Sequence, residues 1–310
     1  MSTYNDALYI DKAVESILSQ SHSNLELLIM VDGSTDNTID ILGNFNDPRM
    51  QVTVRENKGK ATSLNELIES ASGEYILIQD SDDISHPERI KVLLEKFLEN
   101  PSLAMVQSGF SLIVGDKIVA PKGRDLSPAE CKDIIAQYRL PELDPTLMVK
   151  ASVAKEFPFN PDYRIGQGID FIFRVAEKYP MVVVSSALYF YRYNTNSNTK
   201  KNASKKMGYL CEVMNSARKR RGEPLISVEE LTISQGGKRT SNDNNLSGHF
   251  TESVFSLVNR GKRMDAIRVA LFSLRFLSVN YRFAKPCLYA FTPKFVGDIG
   301  RKFFGEYSGK

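Results

Sequence analysis

Residues 73–89 read Gly-Glu-Tyr-Ile-Leu-Ile-Gln-Asp-Ser-Asp-Asp-Ile-Ser-His-Pro-Glu-Arg. The apolar run Tyr75-Ile76-Leu77-Ile78 is the pattern of a buried strand, and it delivers Asp80, Asp82 and Asp83 to the strand's carboxyl end. Three carboxylates in four residues repel one another unless a cation or strong donors stand among them. Oxygen ligands of this kind suit Mg²⁺ or Mn²⁺, ions that commonly hold substrate phosphates. In open α/β sheets ligands gather at the carboxyl ends of strands. A plainer reading is a solvated acidic turn before the helix expected from Pro87, where Asp is favoured. His86 has no partner at metal spacing and reads as structural.

Outward from this stretch, strand and helix signals alternate, as in an α/β sheet. Ile10, Val14, Ile17 and Leu18 share one helical face, and Leu25 to Val31 is a mostly apolar strand. Ser34 or Thr35 starts a helix carrying Ile39, Ile41 and Leu42; Met50 to Val54 reads as a strand and Ala61 to Ala71 as a helix. The Pro87 helix stops at Asn100-Pro101, and Met105 to Val119 reads as two strands turning at Gly115-Asp116. Ser127-Pro128-Ala129-Glu130 is a capping box. Asp170 to Lys178 reads as a helix and Met181 to Tyr193 as two strands. Beyond Tyr193 the composition changes: polar stretches at Asn194–Lys206 and Gln235–Ser247 separate a Lys205–Arg221 helix from a helical hairpin over His249–Asn280, broken near Gly261.

The 310 residues suffice for a full core, and 42% hydrophobic with 25% charged residues is ordinary for a soluble globular protein. A net charge of +3 gives no argument for nucleic acid as a partner. Cys131, Cys211 and Cys287 are scattered, without metal spacing, which fits a reducing compartment. No signal pattern is visible, and no apolar run reaches the roughly 18 residues that span a bilayer. The expected location is therefore cytoplasmic.

Tyr4-Asn5, Asp32-Gly33-Ser34-Thr35-Asp36, Asn57-Lys58-Gly59 with Asn65, and Asp80–Asp83 occur in this order. Together, over roughly Ser2 to Tyr193, they resemble the family 2 glycosyltransferases, inverting enzymes of the GT-A fold that use nucleotide-sugar donors. The resemblance implies a Rossmann-like three-layer α/β sandwich over residues 1–200 and a helical C-terminal extension over residues 201–310. It implies a donor site formed by Thr3, Tyr4, Asn5, Asp32, Gly59 and Asp80, with Tyr4 stacked on the base, Asn5 holding its loop and Asp80 on the ribose. Asp82 is the implied ligand of Mn²⁺ or Mg²⁺, and Asp83 the cap of the following helix. The implied donor is a nucleotide-diphosphate sugar, a UDP-sugar first, and the acceptor a saccharide or lipid-linked glycan in surface polysaccharide synthesis. Val31 stands where relatives carry a first aspartate and Leu64 where many carry arginine. Asn65 reads equally well as a structural residue.

The family places an apolar strand in mid-sheet directly before the Tyr-Asn loop, whereas only Met1-Ser2-Thr3 precede Tyr4 here. The first central strand is thus expected to be missing or shortened, and the chain to be a shortened version of a longer one. On the acceptor side, Asp144-Pro145-Thr146 resembles a family segment that usually reads His-Pro-Thr, and Asp144 reads as a turn residue. Arg174 resembles an arginine that closes the family's acidic helix motif, where it would be an internal ion-pair partner. The acidic pair of that motif, which supplies the catalytic base, falls on Gln167-Gly168. Asp170 is the nearest carboxylate and the candidate base, with Asp162 a weaker one; its alternative role is to cap the 171–178 helix. Transfer is expected to be slow or absent, and Gly168→Asp to raise turnover. Basic and aromatic residues from Arg260 to Lys310 fit either peripheral contact with an anionic membrane or packing of a helical extension. A catalytically impaired relative and a nucleotidyltransferase are the competing functions.

Overall fold

The computed structural model describes residues 1–193, 203–234, 242–278 and 280–291. The stretches expected as linkers at Asn194 and Gln235 therefore lie largely outside the described residues, as do Lys294, Phe295, Arg301, Lys302, Phe303 and Phe304. Two compact units are present: Met1–Val114 with Gly123–Leu225, and Gly115–Lys122 with the chain from Ile226 onward.

The first unit contains two sheets. β1 (Ser2–Thr3), β2 (Leu27–Asp32) and β3 (Met50–Arg55) are parallel, in that order. The second runs β4-β8-β6-β9-β5 and comprises β4 (Tyr75–Leu77), β5 (Ile84–Ser85), β6 (Met105–Val114), β8 (Leu147–Lys150) and β9 (Met181–Arg192). β6 and β9 are parallel and the other pairs antiparallel. β1 is short, as expected, and lies at the edge of its sheet: it pairs with β2, and Ser2 also makes an isolated parallel bridge to Asp80. Two residues thus join the first sheet to the end of the strand that carries the aspartates. Met181 to Arg192 forms one continuous strand rather than the expected two, because its side chains alternate against β6 through an irregularity near Gly109 without breaking the pairing.

Helices follow the apolar periodicity. α1 (Ile10–Leu18) buries Ile10, Val14 and Ile17 against Leu27, Ile29 and Val31 of β2. α2 (Thr38–Leu42) and α3 (Lys60–Ser70) follow β2 and β3, and α4 (Arg89–Glu99) buries Leu93 and Phe97 against Val106 and Leu188. α5 (Pro128–Ala136) starts on the capping box, with Ser127 and Glu130 exchanging both bonds. α6 (Ala151–Glu156), α7 (Gln167–Lys178) and α8 (Ala203–Arg220) complete the unit. Arg220 and Arg221 of the basic run reach Glu177 of α7 at 2.8 Å each, so those charges fasten α8 rather than remain free.

In the second unit β7 (Lys117–Lys122) is held by α10 (Asn242–Asn259), which follows α9 (Val228–Ser234): His249 Nε2 and Ser253 Oγ lie 2.8 Å from the Ala120 and Pro121 carbonyls. α11 (Arg263–Ser273) follows a break at Gly261 (φ 74°), and α12 (Lys285–Phe291) closes the described part. Phe250 is buried among Phe272, Phe276 and Phe283, so these phenylalanines pack on each other, whereas Phe291 is exposed. No helix among the described residues is long and apolar enough to cross a membrane.

One side chain fixes the loops at the sheet ends. Arg89, at the start of α4, is 0% exposed. Its guanidinium donates to Gln79 Oε1 (3.0 Å), Ser85 Oγ (2.9 Å) and the carbonyls of Ile78 (3.1 Å) and Pro145 (2.7 Å), and it faces the Tyr189 ring at 4.6 Å. Burial pulls its pKa down to about 10, against the opposing pull of Tyr189, Asp83 and Asp80. Replacing Arg89 by Met leaves these acceptors unpaired in the interior, and urea unfolding should show a loss of about 3–5 kcal/mol. A loss under about 1 kcal/mol, the size of an ordinary surface change, would remove Arg89 from this role.

Candidate active site

The loops at the ends of β1, β2 and β4 meet through side-chain bonds. Asn5 takes a left-handed conformation (φ 57°), and its Oδ1 accepts from Thr35 N at 2.7 Å while its own N–H donates to Ser34 Oγ at 3.0 Å. It holds its loop as the sequence leads one to expect. Tyr4 beside it is 49% exposed, leaving the ring face open. Thr3 is buried and donates to Asp6 Oδ2 (3.1 Å), which also accepts from Ser81 Oγ (2.5 Å). Asp6 therefore ties the first loop to the aspartate turn.

Asp32 is 2% exposed and bound on all sides by protein: Arg55 Nε at 2.9 Å, Lys58 N at 3.0 Å and Gly59 N at 2.7 Å. Burial alone would raise its pKa, but these donors hold it below the usual carboxylate range. The carboxylate shapes the Asn57–Gly59 loop. Gly33 is required there: with φ at 80°, a Cβ would lie 2.7 Å from Asn57 N. Asn65 exchanges two 2.8 Å bonds with the Phe159 backbone, the structural role anticipated for it.

The carboxylates of Asp80, Asp82 and Asp83 come within 4.8 Å of one another. Their surroundings differ. Asp83 does not cap α4; its oxygens accept from Tyr189 OH (2.7 Å) and Arg192 N (2.6 Å), because the strand turns it into the interior against β9. Burial, then the charges of Asp82 and Asp80, push its pKa well up. Asp80 pairs with Lys60 Nζ at 2.6 Å. Asp82 meets no protein donor beyond its own amide among the described residues, and burial with Asp80 and Asp6 nearby raises its pKa to about 6. An acidic group left unpaired beside two others fits a hard divalent cation, which would take Asp82 as ligand with Asp80 adjacent.

Asp144 lies half-buried in the turn before β8; burial raises its pKa, with the Lys60 charge opposing and Asp80 adding to the shift. The first turn of α7 packs on this turn: a Cβ at Gly168 would lie 2.2 Å from Asp144 Oδ2 and 2.9 Å from Asp144 Cβ. The space that a side chain at 168 would need is filled by Asp144, so Gly168→Asp alone introduces a collision instead of a usable carboxylate. Asp170 is 2% exposed, paired to Arg174 at 2.7 Å with Arg220 at 3.7 Å. Arg174 is thus the internal ion-pair partner expected. Asp162 lies in an exposed loop.

Residues 1–141 match the sequence family described as Glycosyl transferase family 2. Over this segment the chain is similar to family 2 glycosyltransferase domains. The chondroitin synthase of Pasteurella multocida is 39% identical over 105 residues, 33% of this chain and 11% of that protein. The chain spans between 11% and 55% of the length of the curated relatives it matches. Staphylococcus aureus TarS 1–349 in complex with UDP-GlcNAc superposes with a TM-score of 0.59 at 19% identity, covering 93% of this chain and 88% of that one. The Pyrobaculum calidifontis mannosyltransferase PcManGT in complex with GDP-Man and Mn²⁺ gives 0.54 at 17% identity, covering 98% and 86%. The fold is GT-A, with a helical C-terminal region.

Sequence reasoning missed Lys60, although it directly follows the Asn57-Lys58-Gly59 motif, and it missed Asp6, Arg89 and Arg192. A carboxyl whose folded pKa exceeds the unfolded value of 3.8 favours folding below that value, and the gain is lost as pH rises through about 6. Asp82 therefore costs stability at neutral pH until a cation binds. Asp82→Asn should raise the melting temperature of the metal-free protein at neutral pH and abolish the rise given by Mn²⁺. An undiminished Mn²⁺ effect in this variant would place the cation elsewhere.

Proposed function

We propose that this chain is an inverting glycosyltransferase that moves a sugar from a nucleotide-diphosphate donor, a UDP-sugar, to a hydroxyl of a saccharide or lipid-linked acceptor in surface polysaccharide synthesis. The observation that carries this reading is the unpaired Asp82 beside the Asp80–Lys60 pair at the sheet end of a family 2 domain. The UDP-GlcNAc bound to TarS supports uridine as the nucleotide.

In this reading the exposed Tyr4 ring stacks on the base and the Asp80 carboxylate accepts from the ribose hydroxyls. Asn5, Asp32 and Gly59 shape the base pocket, while Thr3 acts through Asp6. Asp82 holds Mn²⁺ or Mg²⁺, which would neutralise charge on the departing diphosphate. The Lys60 ammonium, kept charged by Asp80 and Asp144, turns to the same phosphates. The domain, residues 1–200, performs the transfer, and the helical region 201–310 serves attachment on the cytoplasmic face of the membrane. In that region Met264, Leu271, Leu277, Leu288 and Phe291 are among the exposed apolar residues. This attachment fits a lipid-linked acceptor.

Isothermal titration with UDP should show binding that requires Mn²⁺ or Mg²⁺, and Tyr4→Ala should weaken it by about 1–3 kcal/mol, the usual worth of a stacked base. UDP-sugar should be turned over to free UDP when acceptor or water is present. Binding of UDP that ignores the cation, or release of pyrophosphate from a nucleoside triphosphate, would contradict this function.

A further inference from the structure

We infer that the Asp144 carboxylate is the general base of this enzyme, placed by the turn before β8 in the space that a side chain at position 168 would fill. The inference rests on the glycosyltransferase reading and names the group that reading leaves open.

Elimination and geometry converge on it. Asp170 is buried and ion-paired. Both oxygens of Asp83 are bound by β9, Asp80 is paired with Lys60, and Asp82 is left to the cation. With Asp82 assigned to the cation, Asp144 is the half-buried carboxylate that remains: it lies in no ion pair among the described residues and has Lys60 and Asp80 as electrostatic neighbours. Arg89 fixes its turn by donating to the Pro145 carbonyl at 2.7 Å, and Gly168 gives it room: any Cβ there would sit 2.2 Å from Oδ2. The glycine at 168 and the aspartate at 144 form one complementary pair.

The step balances without a further reactant. The acceptor oxygen attacks the anomeric carbon, and the bond from that carbon to the diphosphate oxygen breaks. Its electron pair leaves with UDP, and the hydroxyl proton passes to Asp144 Oδ2. The carboxyl then releases the proton to water.

The test uses the full chain with Mn²⁺, a panel of UDP-glucose, UDP-galactose and UDP-GlcNAc, and alkyl glycosides as acceptors, reading UDP release. Asp144→Asn should lose about 10²–10⁴-fold in turnover, the usual contribution of a general base, while its affinity for UDP with Mn²⁺ stays within a few fold. Asp144→Ala should regain turnover on addition of formate, a response that a merely structural residue would not give. Gly168→Asp alone should show no gain, whereas Asp144→Gly with Gly168→Asp, which removes the Asp144 Cβ as well as the carboxylate, should recover part of the loss. Turnover kept by Asp144→Asn, or formate rescue absent with UDP affinity intact, overturns the assignment and leaves the glycosyltransferase reading standing. A wild-type chain that binds UDP with Mn²⁺ and turns over no donor of the panel overturns both.

Discussion

The buried Arg89 guanidinium is the interaction on which the site depends. It bonds the backbone where β4 ends, at Ile78, and the backbone at Pro145, in the turn before β8. Through Gln79 and Ser85 it also holds both flanks of the aspartate turn, since Gln79 Nε2 donates to the Asp80 and Asp83 carbonyls. A cation placed inside a protein is costly unless its donors are used. Here those donors weld two loops into one rigid element. The short β1 works in the same direction, because Ser2 pairs with β2 on one side and with Asp80 on the other.

That rigidity divides the labour among otherwise identical side chains. The Asp83 carboxylate accepts from Tyr189 and Arg192 and becomes structural, that of Asp80 pairs with Lys60, and that of Asp82 accepts from no other residue among those described. Burial raises the pKa of both Asp82 and Asp83, but the Asp83 oxygens each accept a bond from β9, whereas the Asp82 carboxylate accepts from no other residue among those described. The same division separates Asp170, neutralised by Arg174, from Asp144, which keeps its carboxylate beside the donor residues. Local hydrogen bonding, more than residue type, decides which carboxylate is free for chemistry.

Much of this was legible in the chain. The apolar run at Tyr75, the helical face of Ile10, Val14 and Ile17, and the capping box at Ser127 each carry their own local signal and formed as read. Asn5 and Gly33 could be placed because turn chemistry is local. What stayed hidden depends on contacts distant in sequence. Asp83 as an interior acceptor needs β9, and Arg89 looks like any charged residue at a helix start until its four acceptors surround it. The pairing of Asp144 with Gly168 is the sharpest instance: each residue alone reads as a departure from the family pattern, and only the packing of α7 on the turn makes them one feature. The continuity of Met181 to Arg192 as one strand comes from its pairing with β6, a partner distant in sequence.

The central claim is that hydrogen bonding has reserved Asp82 for a cation at the donor phosphates while Asp83 and Asp170 stay bound to protein. Anomalous scattering from crystals grown with UDP and Mn²⁺ tests it most directly. The account predicts one Mn²⁺ peak about 2.0–2.2 Å from an Asp82 oxygen, as hard oxygen ligands require, and also coordinated by the diphosphate, with Asp83 still on Tyr189 and Asp170 still on Arg174. A cation ligated by Asp83, or UDP bound with no peak at Asp82, would contradict it.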